Sequence, residues 1–170
     1  MLYLLDANVL IDANRDYYPL DRIPEFWEWL HFEGKQGTVK IPIEQYEEVI
    51  ANQGDPLTKW IKRTEVKEAL LLQEPASPPL VAKVVEDSYG IDLTDVDIET
   101  IGRDPFLVSY ALADHGQRII VSTEASKPSK KRQNRKVPNV CNDWGIECFD
   151  TFKFIRETDF STDWQVRLKQ

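Results

Sequence analysis

Leu2-Tyr3-Leu4-Leu5-Asp6 opens the chain, an uninterrupted apolar run closed by a carboxylate. A strand that shows one face to water alternates apolar and polar residues, whereas a run that is apolar throughout suits a strand covered on both faces, as in a parallel sheet. Working outward from that stretch, Thr38 to Ile41 reads as a short strand stopped by Pro42, Arg118 to Val121 as another, and Ile146 to Phe149 as a further one. Helical segments lie between them. Pro24 to Phe32 carries Phe26, Trp27, Trp29, Leu30 and Phe32 behind a proline suited to a first turn, with Gly34 and Gly37 ending it. Ile43 to Ala51 presents Tyr46, Val49 and Ile50 on one side, and residues 55 to 90 contain two more helices separated by Pro75, Pro78 and Pro79. Ile91 to Gly102 is acidic and reads as irregular. Asp104-Pro105 opens a helix through His115 that Gly116 closes, and Thr151 to Glu157 is the last. Strands separated by helices imply an α/β fold: a mostly parallel central sheet of four or five strands flanked by helices, in one domain spanning residues 1–170 with a helical segment at 52–100.

The composition is globular, with 42% hydrophobic and 29% charged residues in 170. No apolar run is long enough to span a bilayer, and the N-terminal residues have neither a basic start nor a small-residue cleavage site, so a cytoplasmic, non-membrane protein is expected. Two cysteines, Cys141 and Cys148, make no disulfide framework. With only His31 and His115 in the chain they also lack the partners of a structural zinc site.

The net charge of −8 argues against nucleic-acid binding by the surface as a whole. The charge is uneven, however. Lys127, Lys130, Lys131, Arg132, Arg135 and Lys136 fall in a stretch without a single acid, while the other 15 of the 21 basic residues face all 29 acids. A basic loop on an acidic body points to phosphate contacts, or alternatively to a solvated loop or a docking site for an acidic partner. Tyr17, Tyr18 and Trp144 are candidates for base stacking, against the commoner role of aromatics as core. The Trp27/Trp29 helix reads first as core and second as a partner-binding face.

Four acids have related positions. Asp6 follows the first strand. Glu48 lies in the helix after the second. Asp104 begins the helix that feeds the Arg118–Val121 strand, and Glu124 lies three residues past Val121. In a parallel sheet all four can meet at the carboxyl edge, where ligands collect. Gathered carboxylates repel unless a cation lies among them, and oxygen donors favour Mg²⁺ or Mn²⁺. Each acid also has a plain structural reading: Asp104 as a helix cap, Asp6 as a turn residue, Glu44, Glu47 and Glu48 as a solvated helix face, Glu124 as loop charge.

The order of these segments resembles the PIN-domain family. Leu5-Asp6-Ala7-Asn8-Val9-Leu10 resembles its opening strand and first acid. Ile41-Pro42-Ile43-Glu44-Gln45-Tyr46-Glu47-Glu48-Val49 resembles the helix bearing the second, which places that role on Glu48. Asp104 to Ala111 resembles the helix that starts with the third acid, and Ile120-Val121-Ser122-Thr123-Glu124 the strand leading to the fourth, a position more often Asp in that family. The pairing of Ser-x-Glu with a basic loop and Val137-Pro138-Asn139-Val140-Cys141 further resembles a PIN subgroup described as domain of unknown function 4411. The resemblance implies a three-layer PIN-like fold and a Mg²⁺- or Mn²⁺-dependent ribonuclease leaving 5′-phosphate and 3′-hydroxyl ends. Asp6, Asp104 and Glu124 would hold the metal, Glu48 would complete the catalytic set, and Asn8 and Ser122 would orient the carboxylates. Asn8 is equally readable as a left-handed turn residue. The resemblance also implies a toxin with a cognate antitoxin, and a homodimer is a further expectation. Two rivals remain. One is a phosphatase using Asp6 as nucleophile, against which Asn8 stands where a second Asp is usual. The other is a non-catalytic module that binds RNA or protein. A dinucleotide enzyme is disfavoured because no G-x-G-x-x-G turn follows a strand.

Overall fold

The computed structural model describes residues 1–51 and 54–169. Strands β1 (Leu2–Leu5), β2 (Val39–Lys40), β3 (Arg118–Val121) and β4 (Cys148–Phe149) form one sheet in the order β2-β1-β3-β4, and every pairing is parallel. The central pair sits in register Leu2 to Arg118 through Leu5 to Val121. Side chains alternate across a strand. Tyr3, Leu5, Ile119 and Val121 therefore enter one buried cluster while Leu4 and Ile120 enter a second on the opposite face. Both faces are covered, which is why β1 and β3 are apolar at successive positions.

The first layer is built from α1 (Ala7–Asp12), α2 (Pro24–Gln36), α3 (Ile43–Ala51), α4 (Pro56–Ile61) and α5 (Thr64–Leu70). The second contains α6 (Pro78–Val84), α7 (Asp95–Ile101), α8 (Asp104–Ala113) and α9 (Val137–Asp143). The chain then returns to the first layer with α10 (Thr151–Glu157), whose Phe154 is fully buried, and α11 (Trp164–Arg167). The architecture is thus a three-layer α/β sandwich with a four-stranded parallel sheet, as the alternation of strands and helices predicts. Trp27 and Trp29 are buried within it, so the aromatic helix belongs to the core.

Several boundaries differ from the sequence-based expectation. Helix α2 runs through Gly34 and ends at Gly37, whose φ of 76° is the left-handed conformation of a helix C-terminus. A Cβ on Gly34 would stand 2.7 Å from Leu70 Cδ2, so this glycine lets α5 approach rather than stopping α2. The expected helical segment begins at residues 52 and 53, which lie outside the described residues. From Pro56 to Tyr89 it holds three α-helices and a π-helical turn at Val85–Tyr89, rather than two helices. Within the acidic stretch expected to be irregular, Asp95–Ile101 is helical. Thr94 and Asp97 form a reciprocal capping box there, so local hydrogen bonds start a helix that has only Ile101 buried. Asn8 is inside α1, not in a left-handed turn. Among the described residues, no helix is long and apolar enough to cross a membrane.

Candidate active site

Parallel pairing sends the ends of all four strands to one edge. Asp6 leaves β1 there, and its backbone N–H donates to Val121 O at the end of β3. Ser122 follows β3, with its N–H on Phe149 O at the end of β4. The Ser122 hydroxyl then donates to Asp6 Oδ2 (2.8 Å) and accepts from the Glu124 backbone N–H (3.2 Å), so one buried serine positions two of the acids. Asn8 acts on Asp6 through its backbone N–H, which favours the charged form without closing a cap.

The carboxylates share one electric field. Asp6 is 5% exposed, and burial, opposed by the Ser122 hydrogen bond but reinforced by Glu48 and Glu124, pushes its pKa up to about 6. Asp104 is pushed up to about 8, first by desolvation and then by Asp6, Glu124 and Glu48, with Lys136 pulling the other way. The structure thus brings Asp6, Glu48, Asp104 and Glu124 together from four separate parts of the chain. Among the three glutamates of α3, Glu48 is the one that acts on Asp6 and Asp104. Glu47 pairs with Arg103 at 2.8 Å, and Glu44 faces Tyr110. Asp104 is the first residue of α8 and caps nothing, since Arg103 occupies the N-cap position. The plain readings of Asp6 as a turn residue and Asp104 as a cap therefore do not account for their placement.

Glu124 is held differently. Its Oε1 accepts from Lys136 Nζ at 2.5 Å and its Oε2 from the Val137 backbone N–H at 2.8 Å. A cleft of about 450 Å³ is lined by Glu48, Asp104 and Glu124 together with Lys127, Lys130 and Lys136. The basic run divides in two. Arg132 binds the Asp92 carboxylate and carbonyl at 3.0 and 3.1 Å, Arg135 pairs with Asp143 at 2.6 Å and donates to Ser88 O, and Lys136 takes Glu124. Lys127, Lys130 and Lys131 are exposed and form no ion pair among the described residues.

The sequence gives no sign of Tyr89, which lies in the π-helical turn. Its side chain is 2% exposed, and its hydroxyl meets no hydrogen-bond partner among the described residues. Burial raises its pKa, followed by Asp104, Cys141 and Glu124, so the phenol lies within the electric field of the acids. Of the proposed stacking residues, Trp144 donates its indole N–H to Ser88, Tyr18 stacks on Phe26, and Tyr17 is exposed against Phe152. His31 and His115 are bonded to the carbonyls of Glu65 and Trp144, outside the acid cluster.

A family model described as domain of unknown function (DUF4411) matches residues 3–162. The chain belongs to the DUF4411 family. The match spans all four acids, the basic loop and Tyr89, so the cluster lies wholly inside the DUF4411 domain. No curated protein and no solved structure matches the chain.

The donor set of this DUF4411 site is made of carboxylate oxygens, the chemistry that suits a hard divalent cation. Among the described residues, no three His, Cys, Asp or Glu side chains already stand at ligating separation. The chemistry of the donors suits an ion, and both oxygens of one of them, Glu124, are already engaged by Lys136 and Val137.

Proposed function

We propose that the chain is a metal-dependent endoribonuclease of PIN-like type, hydrolysing RNA phosphodiester bonds, and that it is the toxin of a type II toxin–antitoxin pair. The observation that carries this reading is the meeting of Asp6, Glu48, Asp104 and Glu124 at the carboxyl edge of a parallel sheet, beside a cleft that the exposed Lys127 and Lys130 also line. A buried Asp6 and a half-buried Asp104, both with raised pKa values, are an unfavourable arrangement alone, and a divalent cation reverses the sign of their interaction. Asp6, Asp104 and Glu124 would hold Mg²⁺ or Mn²⁺, with Glu48 completing the set. When bound, such an ion supplies Lewis-acid polarisation of the phosphate and acidifies water toward neutral pH. The protein's own part is orientation and attraction. Ser122 fixes Asp6 and Glu124, and Lys127, Lys130 and Lys131 draw the phosphate backbone to an otherwise acidic surface.

A second reading, a non-catalytic module binding RNA or protein, is favoured by the Lys136–Glu124 ion pair, which already satisfies one acid. One substitution separates the two. Wild type is expected to cleave single-stranded RNA in Mn²⁺, and Asp6→Asn to lose that activity by about a hundredfold or more while keeping its circular dichroism. Expression of the wild type is expected to arrest growth and that of Asp6→Asn not to. Full cleavage by a folded Asp6→Asn variant would refute the assignment.

A further inference from the structure

We propose that Lys136 is a built-in counter-ion that occupies the cation's place in the acid cluster and must be displaced for a divalent metal to bind. This rests on the reading of the cluster as a metal centre and adds its regulation.

The geometry is specific. Lys136 precedes α9, and the next backbone N–H, that of Val137, donates to Glu124 Oε2 while the Lys136 ammonium takes Oε1. One dipeptide therefore chelates one carboxylate through a charged and a neutral donor. The ammonium is not an ordinary surface lysine. Its side chain is about one-third exposed, it lines the cleft with Asp104 and Glu48, and it is stabilised in its charged form by Glu124 first and then by Asp104 and Asp6. It is the one cation that counts among the influences on Asp104. Arg135 and Arg132, the neighbouring positive groups, are turned to Asp143 and Asp92. A single positive charge is thus bound to Glu124 and stands in the field of Asp104 and Asp6, where a doubly charged ion would otherwise act.

The Tyr89 phenol, 2% exposed, lies in the electric field of Asp104 and Glu124, so the carboxylate held by Lys136 faces the same interior as the other acids. Releasing Glu124 from Lys136 frees that carboxylate to rearrange. The same movement frees an ammonium at the mouth of the cleft, next to Lys127 and Lys130, where phosphate would pass. Metal entry and substrate attraction are then coupled by one side chain changing partners, with no larger motion.

The test is Mn²⁺ binding, read by titration calorimetry and by the thermal shift of the full chain without RNA. Lys136→Met, which keeps the stem and removes the charge, should bind Mn²⁺ about ten- to hundredfold more tightly than wild type, the range over which neighbours of metal ligands shift affinity. Lys136→Arg should bind no more tightly than wild type. Equal or weaker binding by Lys136→Met, with measurable binding by wild type, would overturn the counter-ion role and leave the metal centre standing. Absence of Mn²⁺ binding in both would overturn the metal centre and the inference together. A readout on unmodified protein guards against a variant that fails to fold. Acetylation of Lys136 by acetic anhydride, followed by mass spectrometry, should rise when saturating Mn²⁺ is added, and an unchanged rate would count against displacement.

Discussion

Asp104 carries the clearest consequence at the scale of one residue. Its pKa in the folded chain, about 8, lies above the ordinary 3.8, so the folded state holds a proton that the unfolded state has released. Stability contributed this way is present in full below pH 4 and is lost as pH rises to about 8; Asp6, at about 6, acts in the same direction over the lower part of that window. The carboxylates with lowered values, Asp16, Asp92, Asp97 and Asp163, act below the ordinary range, while Glu33, raised by burial, acts in the same direction as Asp6 and Asp104. Metal-free protein should therefore melt at a lower temperature at pH 8 than at pH 5. Asp104→Asn, uncharged throughout, should flatten that slope and at pH 8 gain roughly 2 kcal/mol, a value discounted for the partial exposure of the residue. Melting curves in chelator decide the matter, and wild type that is more stable at pH 8 than at pH 5 would contradict the raised values. The placement of this acid was legible in the sequence, because a parallel sheet sends every strand's carboxyl end to one edge. Its protonation was not, since that depends on what Glu48, Asp6 and Lys136 do in three dimensions. Tyr89 was illegible for the same reason, as a tyrosine in an unanchored helical stretch carries no mark of the cluster it will face.

Among the elements, Gly34 shows why a glycine can be misread. On sequence alone it and Gly37 are alike, two helix terminators three residues apart. In the fold Gly37 adopts the left-handed backbone and ends α2, whereas Gly34 is a contact. A Cβ there would meet Leu70 Cδ2 at 2.7 Å and the Ala69 carbonyl oxygen at 3.0 Å, and Lys40 Nζ donates to the Gly34 and Ala69 carbonyls, tying α2 and α5 together. Gly34→Ala gains helix propensity of about 1 kcal/mol but must push backbone, not only a flexible side chain. The net effect expected is a loss of roughly 1–2 kcal/mol in chemical denaturation, with overpacking outweighing propensity. A variant as stable as wild type would show that α5 can move away freely. Helix α7 is the opposite case. It was invisible to apolar periodicity because only one of its residues is buried, and its start is fixed by the hydrogen bonds between Thr94 and Asp97. Periodicity reads the faces that pack on the sheet, and α7 barely packs.

For the molecule as a whole, charge placement decides how an acidic protein can approach a polyanion. The six basic residues from Lys127 to Lys136 suggest six phosphate contacts, but three of them are engaged in intramolecular ion pairs with Asp92, Asp143 and Glu124. Their work is structural: Arg132 fastens the loop to the approach to α7, and Arg135 fastens it to α9 and the π-helical turn. Lys127, Lys130 and Lys131 are left to face solvent, with the Lys127 backbone N–H anchored on Asn139 Oδ1 at 2.7 Å. Each phosphate neutralised on a single strand contributes about 0.7 to the slope of log affinity against log salt, so three lysines contribute about 2. Replacing Lys127, Lys130 and Lys131 together by Ala should flatten the slope by about that amount without lowering the melting temperature. Arg132→Ala should do the reverse, lowering stability with little change of slope, because its guanidinium is already committed to Asp92. RNA binding measured between low and moderate salt distinguishes the two groups. A triple-lysine variant with the wild-type slope would move the phosphate path away from this loop, and with it the reason for an exposed basic segment beside a buried acidic site.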